Sequence, residues 1–117
     1  MTVSVTLDMM AATPPYEQVR AQLAGHIRAG ALRPGDKLPV VRALAADLGV
    51  ATNTVARAYK ELEALGVVET RGRAGTFVAG HGVTRSLREA AASYAATARS
   101  LGVSEAEALE AVRRALG

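Results

Sequence analysis

The 117-residue sequence predicts an α+β fold, built from short helices, one small β-hairpin and a helical tail. Three observations predict it. Two short amphipathic stretches, residues 41–48 and 52–65, are separated by a glycine-containing turn, the pattern of a helix-turn-helix. Directly after them, two β-type runs flank a basic, glycine-rich tip at residues 71–75, which makes a wing. Beyond Gly82 the period changes again, to large apolar residues seven apart with alanines between them.

Each element has its own signature. In residues 1–12, Val3, Val5 and Leu7 alternate with Ser4 and Thr6, the period-two pattern of an N-terminal strand or arm. Thr13-Pro14-Pro15 is a helix start, because a first-turn proline lacks only an N–H that the helix would not use. Tyr16, Val19, Leu23 and Ile27 then share one helical face, and Gly30 provides the stop. Arg33-Pro34-Gly35-Asp36 fits a tight type II turn. Val41, Leu44, Ala45 and Leu48 form the next apolar face, closed by Gly49. The following helix buries Val55, Ala58, Tyr59, Leu62 and Leu65 and stops at Gly66. Residues 67–70 and 76–79 are the strands of the hairpin, and residues 80–82 are a Gly-His-Gly linker. In the tail, Leu87, Tyr94 and Leu101 recur with Ala90, Ala91 and Ala98 among them, up to Gly102. Ser104 and Glu107 make a capping box for a last helix carrying Leu109, Val112 and Leu116. The expected organisation is therefore an arm (1–12), a winged helix-turn-helix (13–80) and a two-helix segment (83–117).

Composition excludes several classes of function. The absence of cysteine removes a disulfide scaffold, a thiolate zinc site and a thiol nucleophile. Two histidines, His26 and His81, do not make a metal cage, so no metal or cofactor is expected. Asp47, Glu61 and Glu63 are spread over helix surfaces without a partner histidine, and no phosphate-cradling glycine motif occurs, so no enzyme is expected. No apolar run approaches a membrane span and no signal-peptide pattern opens the chain, so a cytoplasmic protein is expected. The net charge is +3. Of fourteen basic residues only Lys37 and Lys60 are lysine, which leaves twelve arginines, the side chain suited to phosphates and guanine edges.

The helix-turn-helix geometry nominates residues. Thr52, Asn53, Thr54 and Arg57 lie in the first half of the second helix, the end that enters a major groove. The alternative is that Thr52 caps that helix and Arg57 is a solvated charge. Arg71 and Arg73, flanked by Gly72 and Gly75, sit where a wing approaches a minor groove, unless the hairpin is simply solvated. Lys37 is a phosphate candidate.

From PPYEQVRAQL through PGDKLP-x-VRALA, TVARAYKELEALG and GTFV, residues 14–80 resemble the winged-helix domain of GntR-type bacterial transcription regulators. VTLD before Tyr16 and a tail of about 35 residues resemble the short YtrA-like subfamily. The resemblance implies a sequence-specific DNA-binding regulator, expected to repress, which binds double-stranded operator DNA of inverted-repeat form as a homodimer in the bacterial cytoplasm. It also implies that Arg42 reaches the DNA, against a salt bridge to Asp47 or Glu61. The tail would dimerise through Leu87, Tyr94, Leu101, Leu109, Val112 and Leu116, against the alternative that it folds back on its own wing domain. No small-molecule effector is assigned. The sequence departs from the family in two places. Val40 stands where a serine N-cap is usual, with Asp36 a candidate substitute, and Ala51-Thr52-Asn53 replaces Asn-Pro-Asn. Two other readings are a winged helix used only for protein contacts, and a fragment of an aminotransferase-fused regulator. The capped last helix ending at Gly117 favours a complete short protein over the fragment.

Overall fold

A computed structural model describes residues 4–117. Val3 lies outside the described residues. The chain forms two compact units, one running to Ser86 and the other from Leu87 to Gly117.

The first unit is organised around three helices: α1 (Pro15–Ala29), α2 (Val41–Leu48) and α3 (Thr52–Ala64). α3 packs on both α1 and α2. Val19, Leu23 and Ile27, each one turn apart on α1, meet Val55, Ala58, Tyr59 and Leu62 of α3 in a single buried cluster, to which α2 adds Leu44 and Ala45. Leu65, read as the end of the α3 stripe, is instead exposed and caps the helix C-terminus. Pro15 occupies the first position of α1, and Gly30 ends it at φ 84°, a left-handed conformation open to glycine.

Strands β1 (Val68–Thr70) and β2 (Thr76–Val78) form the antiparallel hairpin, with Val68 opposite Val78 and Thr70 opposite Thr76. Between them lies one 3₁₀ turn, Gly72–Ala74. Arg33-Pro34-Gly35-Asp36 predicts a turn alone. The turn is present, closed by Asp36 N–H to the Arg33 carbonyl at 2.9 Å, but the chain leaving it joins the free edge of β2. Gly35 N–H donates to the Val78 carbonyl at 2.9 Å, Val78 N–H to Asp36 at 2.8 Å, and Leu38 N–H to Thr76 at 2.8 Å. The connection that leads into α2 is thereby tied to the wing.

Three expectations are corrected. Among the described residues of the arm there is no strand. Residues 4–8 instead lie along α1, and side chains four apart on that helix take the place of a neighbouring strand. Gln22 accepts from Thr6 N–H at 2.8 Å and donates to its carbonyl at 2.6 Å. Gln18 does the same for Asp8 at 2.8 and 2.9 Å, and His26 Nε2 meets the Ser4 carbonyl at 2.6 Å. The match is metric: two residues of extended chain advance about 6.6 Å and four residues of helix about 6 Å. Val5 and Leu7, the alternate residues, pack against the core. Thr52 does not cap α3. It is the first helical residue, and the cap position is Ala51, which offers no side-chain acceptor. Asp36 does not substitute for a cap on α2, because its carboxylate accepts from Arg33 N–H at 2.8 Å.

α2 is instead anchored from behind. Tyr59, buried on α3, donates its hydroxyl to the Pro39 carbonyl at 2.6 Å, two residues before α2 begins. Burial pushes the Tyr59 ionisation upward, so the phenol keeps its proton.

The second unit is a hairpin of α4 (Gly82–Ser100), which begins inside the expected linker and whose first turns belong to the first unit, and α5 (Glu105–Leu116). Gly102, at φ 73°, makes the turn. Ser104 caps α5 by accepting from Glu107 N–H at 3.1 Å, and Tyr94 joins the helices through its hydroxyl to the Ala108 carbonyl at 2.8 Å.

Removing the Tyr59 hydroxyl as Tyr59→Phe leaves packing intact and takes a donor from Pro39. Denaturant unfolding should show a loss of about 1 kcal/mol; an unchanged midpoint would mean that water replaces the hydroxyl at no cost.

Candidate nucleic-acid interface

The first turn of α3 exposes Thr52 and Asn53 and half-buries Thr54. None of these three side chains is engaged in a hydrogen bond among the described residues. This follows from the apolar stripe, since Val55, Ala58, Tyr59 and Leu62 face inward and the residues between them face out. Unsatisfied N–H groups and the helix dipole favour negative charge at this end.

Arg57, one turn further, is neither buried nor simply solvated. Its guanidinium carbon lies 3.6 Å from the centroid of the Tyr16 ring, and its Nε donates to Glu61 Oε2 at 3.2 Å. The other Glu61 oxygen is held by Arg20 of α1. The hydrogen bond from Arg20, reinforced by Arg57, holds the Glu61 carboxyl below its ordinary value of 4.5.

Arg42 is exposed in the first turn of α2. It pairs with neither Asp47 nor Glu61, and no carboxylate holds it among the described residues.

On the wing the two arginines differ. Arg71 is held by Glu69 Oε1, through Nε at 3.0 Å and Nη2 at 2.6 Å, and it lies over the Phe77 ring at 4.4 Å. Arg73 stands exposed in the 3₁₀ turn without a partner among the described residues. Gly75 is needed for its φ of 117°; a Cβ there would also come within 2.6 Å of Lys37 Cε, the movable end of a long side chain. The Lys37 stem crosses the wing at this glycine, which brings the phosphate candidate of the 35–38 segment onto the hairpin.

The contacts therefore join Lys37 to the wing and Arg57 to α1. Sequence reasoning missed Tyr16 as a partner, having placed it with the core face, and missed Arg20, Glu61, Glu69 and Phe77. Two of these pairs carried a signal. Arg57 and Glu61 are four apart on one helix. Arg71 is two residues beyond Glu69, which faces Phe77, so all three side chains share one side of the hairpin. The links from α1 to α3 are tertiary and had none.

The second unit presents a different surface. Leu87 is 69% exposed, Leu101 73% and Leu109 56%, although all three are large and apolar. A groove of about 770 Å³ runs between the helices, lined by Leu87, Tyr94, Val103, Leu109 and Val112 among others. Among the described residues no acidic or histidine cluster could hold a metal, and no helix is long and apolar enough to cross a membrane.

The model of the gntR family of bacterial regulatory proteins matches residues 15–78. The HTH-type transcriptional regulator Rv1152 of Mycobacterium tuberculosis is 50% identical over 104 residues, 88% of this chain and 86% of that protein. The HTH-type transcriptional repressor YtrA of Bacillus subtilis is 47% identical over 75 residues, 63% of this chain and 57% of that protein. Among solved structures, the DNA-binding domain of AraR in complex with operator ORX1 is similar at a TM-score of 0.59 and 27% identity, over 68% of this chain and 99% of that one.

The Glu61 clamp has a pH signature. A carboxyl whose folded pKa is depressed stabilises the fold fully above its unfolded value, and loses that contribution as pH falls through the lower folded value. Wild type should exceed Glu61→Gln in urea midpoint by a constant margin from neutral pH to roughly pH 5, and the margin should shrink below that. A margin that does not change on acidification would show that the pairing is not electrostatic.

Proposed function

This chain belongs to the GntR family of bacterial regulatory proteins, and from that membership we propose how it works: it binds an inverted-repeat operator in duplex DNA as a homodimer and represses transcription by occupying the promoter. The observation that carries the reading is the open first turn of α3, where Asn53 and Thr52 stand unengaged on a helix whose opposite face is fully buried. Operator binding by the AraR domain and the repressor name of the YtrA relative support it. The regulator works in the bacterial cytoplasm and needs no catalytic group.

The roles divide between holding and reading. Lys37, Arg42 and Arg73 have no carboxylate partner among the described residues and hold phosphates. Gly72 and Gly75 let the wing backbone approach, Arg71 is pre-set by Glu69 and Phe77, and Asn53, Thr54 and Arg57 read base edges. Residues 13–80 are the DNA-binding domain and residues 83–117 the dimerisation segment. Leu87, Tyr94, Leu101, Leu109, Val112 and Leu116 form its self-complementary surface. Contiguous exposed apolar area of this kind marks an interface. A second copy is the natural occupant, because a single winged helix covers only one half-site and two copies double the reading frame.

Binding measurements on an operator duplex that the wild type enriches from a randomised pool test the division of roles. Arg73→Ala should lower the magnitude of the log–log salt slope by about 0.9, the value of one phosphate contact. Asn53→Ala should cost roughly 1–3 kcal/mol on the operator and much less on random duplex. Equal losses on both duplexes would reduce Asn53 to a phosphate contact.

Replacing Leu87 and Leu109 together by Glu touches only exposed side chains. Sedimentation should then give a folded monomer in place of a dimer, with operator affinity sharply reduced by lost effective concentration. A monomeric wild type, or a dimeric double variant, would overturn the assignment of the tail.

A further inference from the structure

We propose that Tyr16, at the start of α1, is a specificity-determining residue for DNA recognition: its ring fixes the Arg57 guanidinium in one position with the Nη edge left free for a base. The proposal rests on the DNA-binding reading above and names a residue outside α3.

Four residues on two helices carry it. Tyr16 and Arg20 are four apart on α1, and Arg57 and Glu61 are four apart on α3, so each pair lies on one helical face. The two faces meet. The Tyr16 ring covers the Arg57 guanidinium at 3.6 Å, Arg57 Nε donates to Glu61 Oε2 at 3.2 Å, and Arg20 holds Glu61 Oε1. The guanidinium is thus constrained twice, in its plane by the ring and in its rotation by the carboxylate. The distance to the ring centroid is well within the range of a cation–π contact.

The donors that remain decide what Arg57 can do. A guanidinium has five N–H groups. Glu61 engages the one on Nε, and the four on Nη1 and Nη2 have no partner among the described residues. The Arg57 side chain is 59% exposed, so this edge is open to solvent. Two parallel Nη–H groups are the donor set that meets guanine O6 and N7. A freely rotating arginine would meet any nearby phosphate and carry no sequence information. One fixed beforehand reaches a base edge in a single register, and the ordering cost is met during folding and not during binding. Arg20 matters for the same reason. With its charge on one side of Glu61 and Arg57 on the other, the cluster keeps a net charge of +1, so the carboxylate orients Arg57 without cancelling it.

The chemistry also separates ring from hydroxyl. The Tyr16 hydroxyl donates to its neighbour Glu17 at 3.2 Å and takes no part in the cluster. Phenylalanine should therefore replace tyrosine, and an aliphatic residue should not.

The test uses the full chain and duplexes that the wild type enriches from a randomised pool, with a scrambled duplex as reference. Tyr16→Leu should lower the ratio of enriched to scrambled affinity about tenfold, within the range of one lost bidentate base contact. Tyr16→Phe should keep the ratio. Tyr16→Leu on top of Arg57→Ala should add nothing, because the ring acts only through the guanidinium. Losses that add, or a Tyr16→Leu ratio equal to wild type, overturn the proposal. Should Tyr16→Leu fail to fold, the wild type still decides. Without DNA, the Arg57 Nε–H resonance should show an upfield ring-current shift that Tyr16→Phe retains, and an unshifted resonance overturns the clamp. A wild type that enriches no duplex defeats the DNA-binding reading itself, whereas a shifted resonance with an unchanged ratio defeats only the role given to Tyr16.

Discussion

Helix α3 is under a double obligation, and the rest of the chain is arranged to let it meet both. One side must bury Val55, Ala58, Tyr59 and Leu62 against α1 and α2. The other must stay polar and open. A helix of 13 residues is marginal on its own in water, so the buried side supplies the stability that the open side cannot. Leu62 and Val55 have no exposed surface, and a polar residue in place of either would remove that support. The Tyr59 hydroxyl extends the same obligation to α2, fixing where that helix begins although its own cap position, Val40, offers nothing.

Much of this was legible in the sequence. Periodicity located the five helices and the two strands described above: α1, α2 and α3 bury a stripe whose spacing matches the helix, whereas α4 and α5 carry theirs largely exposed. The N-cap at Ser104 follows from local sequence and is present, although the Glu107 carboxylate accepts from the Ser104 hydroxyl where a full capping box would use the backbone N–H. What escaped was what depends on partners distant in the chain. Residues 4–8 have the alternation of a strand, but alternation says only that one side is buried and the other is not. It does not name what satisfies the backbone, and here glutamine and histidine side chains do. Residues 33–36 read as a turn because proline and glycine dominate them, while the bonds that residues 35–38 make to β2 come from a hairpin more than thirty residues away.

The interface residues divide along the same line. Asn53, Thr52 and Arg73 could be placed from helix and hairpin geometry alone. Arg57 could be placed on the outer side of α3, but its stack on Tyr16 could not, since tyrosine at the first apolar position of α1 fits a core residue equally well. Arg71 and Arg73 look equivalent in sequence. The register of the hairpin separates them, giving Arg71 a carboxylate and a ring and leaving Arg73 with neither. Composition was least informative, because a net charge of +3 does not say which cations are already neutralised.

The arm on α1 has a consequence for how this chain can change over time. Its three rungs, at Ser4, Thr6 and Asp8, fall on His26, Gln22 and Gln18 only because two residues of the one advance nearly as far as four residues of the other. Insertion of a single residue within the arm would turn Val5 or Leu7 outward and set a carbonyl opposite the wrong amide. Insertion of two would preserve both the apolar side and the rungs. Length in this stretch is quantised: it tolerates even steps and resists odd ones, a rule that comes from neither the arm nor the helix alone but from the near-equality of their two pitches.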